Sequence, residues 1–269
     1  MKKIAILSIL ISLWLGINIS FCMADDEKAR QIMQKVEDRD DGDNMTSVML
    51  MVLIDKNNKE RKKYFQNFSK DFGKDSKRIM FVKSPPQIKN TGFLTFDYDD
   101  ESKDDDQWLF FPALGKTKRI ASTDKSSSFM GSDLNYSDMT GRNLEDYDFK
   151  LLKESKINGH DVWLILSLPR TKEIEDETGY KKVILAVRKD NYVVVRGKLW
   201  TSEGGFIKYL DIQKLELIDG IWVATENHII KKQNKVIKHQ TLLKLSNVKF
   251  GQGLDENIFT IRRLEKGLF

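Results

Sequence analysis

The chain has 269 residues, 45 Lys plus Arg against 40 Asp plus Glu, a net charge of +5 and a single cysteine. So even a balance, with the two signs interleaved along the chain, disfavours nucleic acid as a partner, which calls for clustered base on one face. One cysteine excludes an internal disulfide framework and a multi-cysteine metal site.

Lys2 and Lys3 precede an apolar run from Ile4 to Ile17, and Cys22-Met23-Ala24 then places small side chains at the −3 and −1 positions of a cleavage site. This is the pattern of a cleavable secretory signal peptide over residues 1–24. Acylation of Cys22 is disfavoured by the bulky Phe21 before it, and the run is shorter than the roughly 20 apolar residues that span a bilayer. Cleavage after Ala24 leaves 245 of the 269 residues, no cysteine and, without Lys2 and Lys3, 43 cations against 40 acids. The expected product is one exported, periplasmic domain over residues 25–269 that relies on burial for its stability.

Asp25 to Asp38 carries Ala29, Ile32, Met33 and Val36 at helical spacing behind an acidic start, which predicts an amphipathic helix. From Met45 onward the pattern is strand. Val48 to Ile54 is an unbroken apolar run, Lys56-Asn57-Asn58-Lys59 is a turn, and a second strand runs toward Phe65 and Phe68. Further strands are predicted at Arg78 to Val82, Phe93 to Phe96, Trp108 to Phe111, Lys118 to Ala121, Phe149 to Leu152 and Val162 to Leu168. After Asn158-Gly159, the turn pairs Asp190-Asn191, Gly204-Gly205, Asp219-Gly220 and Gln233-Asn234 begin 14, 15 and 14 residues apart. The strands between them are about twice the usual 5 or 6 residues, which implies a strongly curved sheet.

The predicted fold is therefore mainly β: an antiparallel up-and-down β-barrel of long strands. Helical material is sparse, namely the N-terminal helix, a short one near Tyr136 to Glu145 and a turn at Asp255 to Asn257. Val183, Leu185 and Val187 alternate with apolar Ile184 and Ala186, so both faces of the sheet need cover. The inner face either lines a cavity or is filled as a core.

The remaining candidates are weighed by their chemistry. Met45, Met49 and Met51 share one strand face, and thioether chains adapt to variable apolar partners. Met49, Met51 and Leu53, with Met80, Met130 and Met139, are either a deformable pocket or ordinary core filling. Seven carboxylates between Asp97 and Asp106 lack the ligand register of a calcium loop and suit a solvated hairpin tip. If Gln233-Asn234 is a two-residue turn, His228 faces His239 with Glu226 on the same side, a possible zinc set or simply a polar face. No Gly-x-Ser-x-Gly elbow is present, and Gly251-Gln252-Gly253 lacks the third glycine of a dinucleotide fingerprint. Neither an enzyme activity nor a cofactor is expected.

One segment carries a family resemblance. Trp108-Leu109-Phe110-Phe111-Pro112, Arg119-Ile120 and Ser127-Ser128-Phe129-Met130-Gly131-Ser132-Asp133, then Asn247-Val248-Lys249-Phe250 and Phe259, resemble the LolA-like outer-membrane lipoprotein-sorting family in its treponemal-prototype subgroup. The resemblance implies a half-closed barrel with helices over its mouth and an apolar cavity for acyl chains, in a periplasmic carrier of lipid or lipoprotein. The tentative cavity set is then Met49, Met51, Leu53, Met80, Trp108, Phe110, Phe129, Met130 and Met139. Phe129 and Met130 either latch the barrel mouth or pin their loop to the core, and Ser137 or Asp133 caps the short helix after it. The expected partners are acyl chains or a lipoprotein and, in an alternative reading as an envelope binding module or lipid-stress sensor, an inner-membrane lipid-exporting transporter. The expected state is a monomer.

Overall fold

An apolar run such as Val48 to Ile54 satisfies its backbone and buries both its faces only inside a sheet. In the computed structural model, which describes residues 25–100 and 102–268, that run is the centre of β1 (Asn44–Asp55). The signal peptide expected at 1–24 lies outside the described residues, as does Glu101 of the acidic run. Strands β2 (Glu60–Phe72), β3 (Asp75–Ser84), β4 (Gly92–Asp97), β5 (Asp106–Phe111) and β6 (Lys116–Arg119) follow as one meander. A second meander contains β7 (Tyr147–Ile157), β8 (His160–Pro169), β9 (Tyr180–Arg188), β10 (Val194–Thr201), β11 (Phe206–Ile218), β12 (Ile221–Gln233) and β13 (Val236–Phe250).

All these strands form one antiparallel sheet in the order β6-β5-β4-β3-β2-β1-β13-β12-β11-β10-β9-β8-β7. The two meanders join where β1 meets β13, with Met49 opposite Leu245, Met51 opposite Leu243 and Leu53 opposite Thr241. Pairing β6 with β7 would close the barrel; instead they are its two edges, and residues 120–146 cross from one to the other. The fold is the expected half-closed barrel.

Turn chemistry sets most of the register. Asn158-Gly159 and Asp219-Gly220 both have positive φ at the two central positions, as a tight hairpin of the right twist requires. The last hairpin differs by one residue from the sequence expectation. Gln233 pairs with Val236, so the turn residues are Asn234 and Lys235, and a bulge before His239 shifts the pairing again.

Among the described residues three α-helices accompany the sheet: α1 (Glu27–Glu37), α2 (Lys172–Thr178) and α3 (Ile261–Lys266). Asp26 caps α1 by accepting from the Lys28 and Ala29 amides. The helix predicted near Tyr136 to Glu145 is not an α-helix; it is two separate 3-10 turns, Tyr136–Met139 and Leu144–Asp146, parted by Thr140-Gly141. Its cap is Asn135, in a reciprocal box with Asp138, rather than Ser137 or Asp133. Helix α2 was hidden from sequence because Lys172-Glu-Ile-Glu-Asp-Glu-Thr has one apolar residue and no stripe; its start is set by Thr171 and its end by Gly179 at φ +78°.

Register places Met49, Leu243, Ile229, Leu210, Leu185 and Ile165 on one face, the inner one. Over β7–β9 that face is covered by α1, whose Ala29, Ile32 and Met33 pack on Phe149, Ile165 and Val187. Over β1–β5 and β13 it is covered by residues 120–146. The outer face of β3–β5 lies under the C-terminal segment, where Phe259 and Leu264 meet Ile79, Phe81 and Leu94. Strands β3–β5, apolar on both faces, are thus buried on both.

Candidate functional site

The segment from Ile120 to Asp146 is an inward strap, seated by one aromatic anchor and a set of buried polar bonds. Phe129 is fully buried, 5.0 Å from the Phe93 ring and 5.6 Å from Tyr136 in an edge-on contact. Around it lie Met49, Met51, Leu53, Phe65 and Val82. Phe129 therefore pins the strap to the core. Met130, with φ +48°, turns the chain back, and its carbonyl accepts from the Lys63 ammonium at 2.6 Å.

The polar bonds fasten the strap to the second meander. Thr241 Oγ1 accepts from the Asp133 amide at 2.9 Å and donates to the Asp133 carboxylate at 2.7 Å, and His239 Nδ1 lies 2.7 Å from the same carboxylate. Further along, Tyr180 donates to Asp138 at 2.6 Å, while the Lys208 ammonium donates to Asn135 Oδ1 at 2.8 Å and to the Tyr180 hydroxyl at 2.9 Å. Burial lowers the Lys208 pKa to about 8 and pushes the Tyr180 phenol well above its ordinary value, the adjacent Asp138 charge adding to the second shift.

The strap fills only part of the inner face. Between it and the α1–β1 connection a cavity of about 430 Å³ remains, walled by Met45, Met80, Phe93, Met139, Leu245 and Phe250. Its rim carries Arg39 and Asp41, and Arg39 donates to the Trp222 carbonyl at 3.1 Å. Gly42 sits at this rim with φ +86°, and a Cβ there would come within 2.5 Å of the Phe250 ring. Only glycine lets the connection press this closely on the wall. Within the apolar lining, Asn67 Oδ1 and the Thr95 hydroxyl are buried and have no hydrogen-bond partner among the described residues. A polar group or water from the cavity contents is what would satisfy them.

The sequence-predicted set divides three ways. Met80 and Met139 line the cavity. Met49, Met51, Leu53 and Phe129 are in the packed cluster beneath the strap, with Met130 against it, so they serve as core there. Trp108 and Phe110 are on the opposite, outer face, Phe110 with Phe259 and Leu264 and Trp108 edge-on to Phe96 at 4.9 Å. The reason is strand alternation: in β5 the inner positions are Gln107 and Leu109. The missed wall residues have different origins. Met45 shares its strand face with Met49, a signal present in the alternation, whereas Leu245 and Phe250 reach the cavity only because β13 pairs with β1.

The histidine arrangement is corrected by the same register. His239 faces inward to Asp133, but His228 opposes Leu242 and points outward to Gln240 at 3.0 Å, while Glu226 pairs with Lys244 at 2.9 Å. The bulge beside His239 separates the two rings. Among the described residues no group of three or more metal-ligating side chains is assembled. The acidic β4–β5 hairpin borders a second, polar hollow of about 340 Å³ with Glu37, Asp97 and Asp105. Its carboxylates have structural work: Asp97 accepts from the Gly141 amide at 2.6 Å and Asp105 from the Tyr98 amide at 3.0 Å. Desolvation and then the neighbouring Asp97 raise the pKa values of Glu37 and Asp105.

The molecule is thus a half-closed barrel strapped across its inner face, with a cavity beside the strap. A family model described only as an uncharacterized protein matches residues 74–266. No curated protein matches the sequence. Among solved structures, a candidate outer membrane lipoprotein-sorting protein domain from Vibrio parahaemolyticus is 29% identical, with a TM-score of 0.79 over 89% of this chain and 99% of that one. A protein of a domain-of-unknown-function family from Desulfovibrio piger is 25% identical, with a TM-score of 0.81 over 90% of this chain and 99% of that one. A LolA superfamily protein from Nitrosomonas europaea shares the fold at 19% identity, with a TM-score of 0.64 over 87% and 98% of the two chains. The chain belongs to the LolA-like family.

Proposed function

We propose that the protein is a monomeric, periplasmic carrier that holds acyl chains, of a lipid or of a lipoprotein, in the cavity between the strap and the α1–β1 connection. The observation that carries the reading is the cavity itself. At about 430 Å³ it falls within the usual range of about 300–1,000 Å³ for ligand sites, and its wall of Met45, Met80, Met139 and aromatic rings adapts to a chain of variable shape. Asn67 and Thr95 provide unpartnered polar atoms for the ester or amide that ends such a chain. The name of the Vibrio parahaemolyticus relative, at 29% identity, supports the cargo class. The role is non-catalytic: the buried ionisable groups at the seat of the strap, Asp133 and Asp138 on it and Lys208 on β11, are engaged in holding it in place.

Mass spectrometry of organic extracts from the purified protein tests this directly, followed by displacement of a fluorescent fatty acid. Lipid is expected to co-purify, and Leu245→Trp, which fills the cavity, is expected to abolish probe binding while leaving the fold intact. A protein that never carries lipid and does not bind the probe would refute the reading. In that event a single dominant protein cross-linked in cells would instead identify an envelope module or sensor that acts on an inner-membrane transporter.

A further inference from the structure

The barrel has two ends of opposite charge. At one, the α1–β1 connection and the β4–β5 hairpin present Asp40, Asp41, Asp43, Asp99, Asp100 and Asp104 beside the two hollows. At the other, the β1–β2 hairpin presents Lys56, Lys59, Arg61 and Lys62, and the β12–β13 hairpin two strands away presents Lys232, Lys235 and Lys238. Scattered along the sequence these cations form no cluster. The pairing of β1 with β13 assembles them.

The basic area continues over the outer face of β9–β12. Trp200 lies between Lys182 and Lys198, whose ammonium nitrogens are 4.6 and 4.5 Å from its ring centre, and Lys232 is 5.1 Å from the Tyr209 ring. The acids at this end are Asp55, Glu60 and Glu203 in the hairpins and, on α2, Glu173, Glu175, Asp176 and Glu177, of which Glu175 and Asp176 pair with Lys172 and Glu177 with Lys125. Among the described residues, Lys62 with Glu60 at 3.4 Å is the ion pair these cations make. Amid the lysines of the β12–β13 tip, Val236 and Ile237 are 57% and 39% exposed. Apolar residues so placed on a hairpin tip are left uncovered by the described residues.

We propose that this end of the barrel docks on an anionic lipid surface, the lysines facing headgroup phosphates and Val236, Ile237 and Trp200 entering the interface. Clustered lysines are drawn to negatively charged bilayers, and Trp and Tyr settle at headgroup depth. All the cations named except Arg61 are lysines, point charges on flexible stems without the planar fork that reads a fixed carboxylate. Such groups match a fluid array of phosphates better than the set carboxylate pattern of an acidic protein. The cavity lies toward the opposite end, so the docked molecule keeps its cavity facing solution. This surface is separate from the cavity and stands or falls independently of the cargo.

Co-flotation with vesicles is the test, using protein without residues 1–24, whose apolar run would itself enter lipid. Vesicles containing phosphatidylglycerol should bind the protein at least about tenfold more tightly than pure phosphatidylcholine, and the preference should vanish at about 1 M salt. Combined Lys182→Glu, Lys232→Glu, Lys235→Glu and Lys238→Glu should abolish the preference. The same number of reversals at the other end, at Lys74, Lys103, Lys156 and Lys249, should retain it. Neutral Lys→Gln changes at the first four positions give the same reading should the reversals impair folding. Val236→Ser with Ile237→Ser should weaken binding without changing its salt dependence. Equal binding to both vesicles, undiminished binding by the four-lysine variants, or capture of an acidic protein by this end with no vesicle binding would each overturn the proposal.

Discussion

Replacing Phe129 by alanine removes the anchor of the strap while leaving every strand pairing in place. The side chain is fully buried and touches Phe93 and Tyr136 at ring separations of 5.0 and 5.6 Å. Truncating a buried Phe costs about 3–5 kcal/mol, and each aromatic pair is worth about 0.5–1.5 kcal/mol within that loss. Set against a total stability of about 5–15 kcal/mol, the variant should lose a large share of its margin. Urea unfolding followed by tryptophan fluorescence measures the change, and the denaturant slope should remain that of the parent, because the surface exposed on unfolding barely differs. Met130→Gly at the next position is the control. Its backbone is left-handed at φ +48°, so glycine removes strain of about 1–2 kcal/mol per residue and should leave stability equal or higher despite losing a half-buried side chain. A Phe129→Ala variant that loses less than about 1 kcal/mol would show that the strap is not held by this anchor.

Three further outcomes are expected. Asp26→Ala removes an α1 cap whose second oxygen also accepts from the Leu151 amide at 3.2 Å; a loss of about 1–2 kcal/mol is expected in thermal or urea unfolding. Lys208, with its pKa lowered to about 8, has lost its proton in the folded state where the unfolded chain still holds one, so stability should rise with pH above about 8 toward the ordinary lysine value of about 10.4. That rise should be absent from a Lys208→Met variant compared by denaturation at pH 8 and pH 10. Asp105 has the opposite linkage. Its raised pKa means that the stability present below the ordinary carboxylate value of about 3.9 is lost as pH climbs through the raised one. Asp105→Asn, which still accepts from Tyr98, should therefore be more stable than the parent at pH 7 and converge with it in acid.

Local pattern alone determined a good deal of this protein. Alternation and the apolar run of β1 identified strands, and Asn158-Gly159 and Asp219-Gly220 located hairpins, because these signals depend on backbone conformations that few residues adopt. The α1 stripe and a barrel of long, curved strands were legible for the same reason, whereas half-closure was implied only by the family resemblance. The last turn was misplaced because Gln233-Asn234 and Asn234-Lys235 are locally similar; the pairing of β12 with β13 chose between them, and the bulge at Lys238 then sent His228 and His239 to opposite faces.

The site was less legible. Thioether chemistry singled out Met49, Met51, Met80, Met130 and Met139 alike, and which of them face a cavity and which face packed side chains is a matter of what covers each strand. That cover is the strap, and its seat depends on Phe129 meeting Phe93 and on Asp133 meeting Thr241, contacts between residues distant in sequence. The charge balance read from composition is likewise only a sum. By itself the sequence showed an acidic hairpin and basic strands as separate, solvated features. The tertiary structure, by pairing the first strand with the last, gathered one charge at each end, since side chains far apart along the chain add their fields only once the fold has brought them within reach of each other.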